Sequence, residues 1–346
     1  MTDRLRELGA RLERPLLVTN LTNVYYLTGF DSSNAALLVQ PGGDTTLYTD
    51  FRYVEEAQAV EGVEVVLTKR AMLLDIGARL SGEVQFEADV LPYLEWQRLK
   101  KGGAKLVASQ GLVGALRAVK SAEEVAKIAR AAKAADRGLE ALTAETWVGR
   151  SERELAWRLR ELLHAHGADE IAFDSIVASG ANGALPHAHP TDHIVEPRTL
   201  VTVDWGVRVD GYCSDCTRTF STGSPPDRLR EAYDVCLAAQ ISACEGIRAG
   251  LTGVEADALA REPIEGAGFG GNFGHGLGHG VGVEVHEAPR LSTESTDTLE
   301  VGHIVTIEPG IYLPGLGGVR IEDLAVVRDD HAELLTSFPK ALIEVR

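Results

Sequence analysis

From Leu16 to about Val66, short apolar runs alternate with turn signals: PLLVTN, NVYYLTGF, AALLVQPGGDTTLYTD and VEVVLT. Runs rich in β-branched and aromatic residues, broken by Pro-Gly-Gly and by Asn or Asp, predict strands. FRYVEEAQAV, lying between two of them, predicts a helix, and YLEWQRLKK predicts another. This block reads as an α/β domain covering residues 1–117. The pattern then changes. SAEEVAKIARAAKAADRGLEAL carries an amphipathic helical period, with Ser121 as N-cap and Glu123 and Glu124 at the positive end of the helix dipole. SERELAWRLRELLHAHG repeats the signal: Ser151 and Glu154 have the spacing of a capping box, and Gly167 supplies a stop. A third helix is predicted through PPDRLREAYDVCLAAQISACEGIRAG. Strands are predicted in TLVTVDWGVRVD, YCSDCTRTF, HIVTIEPGIYL and VRIEDLAVV. Residues 118–346 thus read as an α+β domain with antiparallel pairing.

Composition narrows the class. The chain has 346 residues, a length that favours two domains over one core. Its 34 basic and 51 acidic residues give a net charge of −17, which opposes non-specific nucleic-acid binding, since that needs a positive patch to displace phosphate counterions. No apolar run approaches a membrane span, and MTDRLRELGARLERP has no apolar signal region, so a cytoplasmic location away from membranes is the expectation. Cys213 and Cys216 have the spacing of half a zinc knuckle, but Cys236 and Cys244 form no second close pair, so the four read as reduced structural thiols.

A tight turn at Asp210-Gly211 pairs Val209 with Tyr212, Trp205 with Cys216 and Asp204 with Thr217. In that register Asp215 is a diagonal neighbour of Asp204 on the same face, roughly 7 Å away. Two carboxylates on valine-rich strands are unfavourable to bury unless a cation compensates them; on a solvated face they would be ordinary surface acids. The hairpin alone leaves both readings open. The second half supplies further donors. Glu308 ends a Val-Thr-Ile strand just before Pro309-Gly310, and Glu322 lies in the apolar VRIEDLAVV, where alternation turns Asp323 to the other face. GHGLGHGVGVEVHEAP crowds His275, His279 and His286 among glycines, in a chain with ten histidines. Asp204, Asp215, His279, Glu308 and Glu322 make four carboxylates and one imidazole, a donor set for two divalent cations, Mn²⁺ before Co²⁺ or Zn²⁺. Two such metals polarise a carbonyl and make a bridging water acidic, which is hydrolytic chemistry. Gly274, Gly276, Gly278 and Gly280 are expected to let backbone pass close to the metals. Gly266-x-Gly268-x-x-Gly271 follows a helical pattern, so it is discounted as a dinucleotide loop. Neither a Gly-Lys-Ser/Thr phosphate loop nor a serine-hydrolase elbow is present.

At these residues the chain resembles the creatinase-like "pita-bread" metallopeptidases, which include proline dipeptidases (prolidases), aminopeptidase P and methionine aminopeptidases. The motifs are LPH (185–187), DWG with SDCTRTF (204–220), HGLGHGVGVEVHEAP (275–289), TIEPGIY (306–312) and GGVRIED (317–323), in order over the second block. The resemblance implies a pita-bread catalytic domain, an antiparallel sheet flanked by helices, behind the α/β domain. It implies that Asp215 and Glu322 bridge two metals, that Asp204 binds one, and that His279 and Glu308 complete the site of the other. It also implies that Glu308 is the general acid/base for a metal-bridging hydroxide nucleophile, and that His187 and His286 face the substrate. His275 would stand near the pocket. His189 and His193 are the rivals of His187. For Arg320, a substrate carboxylate or an ion pair with a ligand carboxylate are both open; for Arg290, a substrate carboxylate or the bare surface.

Among members, creatinases lack the metal ligands, and bacterial methionine aminopeptidases generally lack an N-terminal block of this size. Non-catalytic, protein-binding relatives usually lose ligands, and here all five positions are kept. The preferred reading is hydrolysis of the Xaa-Pro bond of dipeptides, as in compact microbial prolidases. The alternative is aminopeptidase P, acting on longer peptides that begin Xaa-Pro. A homodimer is implied by the resemblance alone.

Overall fold

The computed structural model describes residues 3–346. The chain divides into two compact units at Arg117/Ala118. Among the described residues, no helix is long and apolar enough to cross a membrane.

The first unit is built on a six-stranded mixed sheet: β1 (Leu16–Val18), β2 (Ala35–Val39), β3 (Thr45–Thr49), β4 (Glu64–Leu67), β5 (Glu83–Glu87) and β6 (Lys105–Ser109), in the order β4-β3-β2-β1-β5-β6. β1, β2 and β3 pair antiparallel and the outer pairs are parallel. Helices α1 (Asp3–Arg11), α2 (Leu21–Thr28), α3 (Val54–Ala57), α4 (Met72–Gly77), α5 (Tyr93–Lys100) and α6 (Leu112–Ala118) complete it. α2 corrects one expectation: aromatic and β-branched residues in NVYYLT predict a strand, and the segment is helical. The Asn20 side chain instead accepts from Thr22 N, and Gly29, at φ 74°, closes the segment as a helix of eight residues. Its helical turn buries Val24, Tyr26 and Leu27.

The second unit holds α7 (Ala122–Thr143), α8 (Glu152–Ala165), α9 (Asp227–Gly246) and α10 (Gly253–Gly266). Capping boxes start α7 at Ser121/Glu124, α8 at Ser151/Glu154 and α10 at Thr252/Glu255. Its strands are β7 (Glu170–Ile171), β8 (Ile176–Ser179), β9 (Leu200–Trp205), β10 (Val207–Val209), β11 (Tyr212–Cys213), β12 (Cys216–Ser221), β13 (Gly278–Gly280), β14 (Glu287–Leu291), β15 (Ile304–Ile307), β16 (Gly310–Leu313), β17 (Gly317–Arg320), β18 (Asp323–Val327) and β19 (Ala332–Leu334). Every ladder among them is antiparallel. α7 and α8 cover the β8, β9 and β12 layer through Leu139, Leu142, Leu155, Leu159, Val201, Val203 and Phe220. α9 and α10 cover the β15 to β18 layer through Ala232, Cys236, Ala260, Ile307, Ile311 and Val319. Asp204 lies in β9 and His279 in β13, while Asp215, Glu308 and Glu322 stand just outside the ends of β12, β15 and β18. α10 is the helical pattern that precedes Gly266, and it runs to Gly266 with Pro263 inside its last turn. All four cysteines are free, three of them buried.

Candidate metal centre

The hairpin takes the register its turn implies. Asp210 and Gly211 both have positive φ, 51° and 79°, which suits the right-handed strand twist. Val209 faces Tyr212, Trp205 faces Cys216 and Asp204 faces Thr217. Asp204 is the last residue but one of β9, and Asp215 stands immediately before β12. Glu322 enters between β17 and β18, its N–H donating to Thr217 O at 3.0 Å. One oxygen from each of Asp204, Asp215 and Glu322 lies within 4.8 Å of the other two. Asp323, the next residue, points away and pairs instead with Arg218 at 2.8 Å and Lys340 at 2.5 Å.

His279 occupies the middle of β13, where a register shift separates it from Gly280. Its Nε2 stands 3.3 Å from Glu308 Oε1 and 3.7 Å from Asp215 Oδ2, and Gly280 O lies 3.1 Å from Nδ1. Nδ1 as donor to that carbonyl leaves Nε2 to face the carboxylates. Glu308 follows β15, its N–H bonded to Leu277 O and its Oε1 accepting from the Thr306 hydroxyl at 3.1 Å. The glycines flanking His279 have a different role from the expected one. A Cβ on Gly278 would meet Thr306 O at 2.0 Å, one on Gly280 Ala288 O at 2.1 Å, and one on Gly276 Leu291 O at 2.6 Å. They let β13 lie tightly between its neighbours, while Gly274 faces open space.

The electrostatics are those of crowded acid in low dielectric. Burial pushes the Asp215 and Glu322 carboxyls well up, and neighbouring carboxylates push them further. Asp204 is raised by burial against the opposing pull of Arg320. Burial also works against ionised Glu308, but the His279 hydrogen bond and charge hold it down at about 2. Asp204 Oδ1 is buried with no hydrogen-bond partner. An orphaned carboxylate oxygen, three converging carboxylates and an imidazole aimed at them fit a divalent cation.

Around these groups runs a hydrogen-bonded frame. Arg320 donates from Nη2 to Asp204 Oδ2 at 2.6 Å, from Nη1 to Pro186 O at 3.0 Å and to Tyr312 OH at 2.9 Å, and from Nε to the Thr217 hydroxyl at 3.1 Å. It is 4% exposed, so of its two open readings the geometry carries the ion pair with Asp204. Tyr312 OH lies 2.9 Å from His275 Nε2, and His275 Nδ1 lies 2.8 Å from Gly276 O. His275 is thus tied to the frame through Tyr312. His286 lies at the surface with its ring centroid 4.2 Å from that of His279. Burial lowers the pKa of both His275 and His286, and the nearby imidazole of His187 lowers each further. His187 is exposed beside Pro186, whose carbonyl Arg320 holds, whereas His189 and His193 offer their backbone carbonyls to Asn182 and Glu152. Arg290 faces His279 in the β13–β14 register, is exposed, and has no ion-pair partner among the described residues. Thr217, Thr306 and Tyr312 were not singled out from the sequence. The only signal for Thr217 was its place opposite Asp204, where its hydroxyl also donates to Glu322 at 2.6 Å.

Comparison with known proteins agrees with this architecture. Residues 126–329 match the model of metallopeptidase family M24, and residues 4–119 match the creatinase/prolidase N-terminal domain. The chain is 40% identical to an uncharacterized peptidase of Bacillus subtilis, over 99% of both chains. It superposes on the Xaa-Pro dipeptidase from Bacillus anthracis with TM-score 0.94 and 38% identity, covering 99% of this chain and 98% of that one. With the X-Pro aminopeptidase from Thermotoga maritima the TM-score is 0.87 at 33% identity, covering 96% and 97%. The chain belongs to metallopeptidase family M24, with a creatinase-type N-terminal domain ahead of a pita-bread catalytic domain. It is a metallopeptidase of the prolidase-like branch.

Proposed function

We propose that this metallopeptidase hydrolyses the Xaa-Pro bond of dipeptides with two divalent cations held by Asp204, Asp215, His279, Glu308 and Glu322. The observation that carries the reading is the convergence of Asp204, Asp215 and Glu322 within 4.8 Å beside the His279–Glu308 pair. Similarity to a solved Xaa-Pro dipeptidase over nearly the whole chain supports the substrate class. The oxygen-rich donor set favours Mn²⁺, with Co²⁺ or Zn²⁺ as substitutes. When bound, such ions polarise the scissile carbonyl and make an attacking water acidic near neutral pH.

The chain's own residues do the rest. Glu308, held as a carboxylate by His279 and Thr306, takes a proton from the attacking water at Oε1 and passes it to the leaving imino nitrogen. His187 and His286 flank the scissile carbonyl and steady its developing negative charge, while His275 is held back by Tyr312. Arg320 keeps Asp204 oriented, and Arg290 is placed to meet the substrate carboxylate. A proline nitrogen in a peptide bond carries no hydrogen, so recognition cannot rest on that N–H and falls to these groups. Similarity to the X-Pro aminopeptidase favours a second reading, release of the N-terminal residue from longer Xaa-Pro peptides. A homodimer in the cytoplasm belongs to the same proposal and is checked by sedimentation.

The test is proline release from a Xaa-Pro dipeptide by metal-stripped protein before and after Mn²⁺. The reading requires activity only with metal, and its loss in a Glu308→Gln variant that still binds Mn²⁺.

A further inference from the structure

One carboxylate outside the metal centre gathers more hydrogen bonds than any ligand in it. Glu152, the first residue of α8, is 0% exposed. Its Oε1 accepts from Ser179 N at 2.7 Å and from the Ser179 hydroxyl at 3.1 Å. Its Oε2 accepts from Asn182 Nδ2 at 2.7 Å, Thr191 N at 3.0 Å and the Thr191 hydroxyl at 2.7 Å. These donors sit on the two sides of a single loop, before and after His187. Asn182 Nδ2 also reaches His189 O at 3.1 Å, tying the arm before His187 to the arm after it. The backbone of α8 joins in, Glu152 N donating to His193 O and Arg153 N to Thr191 O at 3.0 and 3.1 Å. The apex of the loop is pinned separately, by Arg320 through Pro186 O.

We infer that Glu152 is a positioning residue for the reaction: by cross-linking both arms of the 179–191 loop it sets where His187 stands over the metal centre. The inference rests on the substrate-facing role proposed for His187. The backbone bonds of Glu152 and Arg153 serve the helix start, but the side-chain bonds of Glu152 go beyond what a helix start requires. Ser151 and Glu154 already cap α8 through their own box, so the Glu152 side chain is released from capping. Five donors converge on two acceptor oxygens, and only a carboxylate can accept from all of them. In Glu152→Gln one oxygen becomes an NH₂ that faces donors, so one arm of the loop loses its anchor while shape and volume are kept. An exposed imidazole on a loop freed on one side wanders by the ångström that positioning of a reacting group tolerates poorly.

The experiment is a double-mutant cycle on the Mn²⁺-loaded protein with a Xaa-Pro dipeptide, comparing Glu152→Gln, His187→Ala and the pair. Glu152→Gln is expected to lower kcat/KM by about 10- to 100-fold. Its Mn²⁺ affinity should be unchanged, and amide exchange should quicken at Ser179 or Thr191. In the His187→Ala background the same change should reduce the rate by less than about 2-fold, because its effect runs through the missing imidazole. Asn182→Ala, which removes only the cross-strut, should follow the same non-additive pattern with a smaller loss and covers the case in which Glu152→Gln does not fold. Additive losses overturn the inference while leaving His187 in its proposed role. Wild-type rates in His187→Ala overturn that role and this inference together.

Discussion

Arg320 Nη2 grips one oxygen of Asp204 at 2.6 Å, and the other oxygen, Oδ1, is buried with no hydrogen-bond partner. The pair divides the carboxylate into an oxygen held by the protein and an oxygen left without a partner, in a residue that converges with Asp215 and Glu322. Arg320→Lys keeps the charge but loses the fork that reaches Asp204, Tyr312 and Pro186 together. The variant should lose roughly 10- to 100-fold in kcat/KM or metal affinity, the usual effect of removing a group that orients a ligand. Steady-state kinetics and Mn²⁺ titration by calorimetry check this; a variant indistinguishable from wild type would remove Arg320 from the account.

Crowded buried carboxylates also predict how metal acts on stability. Burial and mutual repulsion raise Asp215 and Glu322, and a divalent cation relieves both effects. At a metal concentration about 100 times Kd, binding to the folded state adds about 2.7 kcal/mol. For a domain of this size that corresponds to about 5–10 °C in Tm. Thermal unfolding in EDTA and in Mn²⁺ measures it, and Asp215→Asn should abolish most of the difference.

Gly278 lies one residue before His279, and a methyl there would stand 2.0 Å from Thr306 O. Gly278→Ala therefore forces β13 away from β15 and carries His279 with it. The expected result is about 1–3 kcal/mol of lost stability together with weaker Mn²⁺ binding. Gly274→Ala, with nothing within 4 Å, is the matched control and should be neutral.

His303 offers a pH prediction away from the metal centre. Burial, with Lys120 nearby, lowers its pKa below the usual histidine value, and its Nδ1 accepts from Glu300 N at 3.1 Å. The unfolded chain then binds the proton more readily than the folded one. The His303 contribution is full above about pH 6.5 and is lost as pH falls from there toward the depressed folded value. Its size is at most about 1.4 kcal/mol per pH unit in that window. Urea midpoints at pH 7 and pH 5 should fall further for wild type than for His303→Asn, whose side-chain oxygen can still accept from Glu300.

Much of the centre was legible because it depends on short-range geometry. A two-residue turn at Asp210-Gly211 sets the register that places Asp204 opposite Thr217, and strand alternation separates Glu322 from Asp323. Helices α7 and α8 announced themselves through an N-cap at Ser121 and a capping box at Ser151. What stayed hidden depends on side chains far apart in sequence. The Arg320 contacts with Pro186 and Asp204 span 134 and 116 residues, and no local pattern encodes them. Nothing local distinguishes Glu152 from any acid in the first turn of a helix, since its five donors lie 27 to 39 residues away. NVYYLT was misread for the opposite reason: its local propensity is for strand, and the Asn20 cap with the Gly29 stop outweighs it.

The central claim, a metal-dependent Xaa-Pro dipeptidase, is tested most directly by kcat/KM of the Mn²⁺-reloaded protein on a Xaa-Pro dipeptide beside the matching Xaa-Pro-Yaa tripeptide. The account predicts that the dipeptide is the better substrate, with no cleavage of either once metal is removed. Preference for the tripeptide would make the enzyme an aminopeptidase P. Cleavage of neither, with Mn²⁺ demonstrably bound, would contradict the account outright.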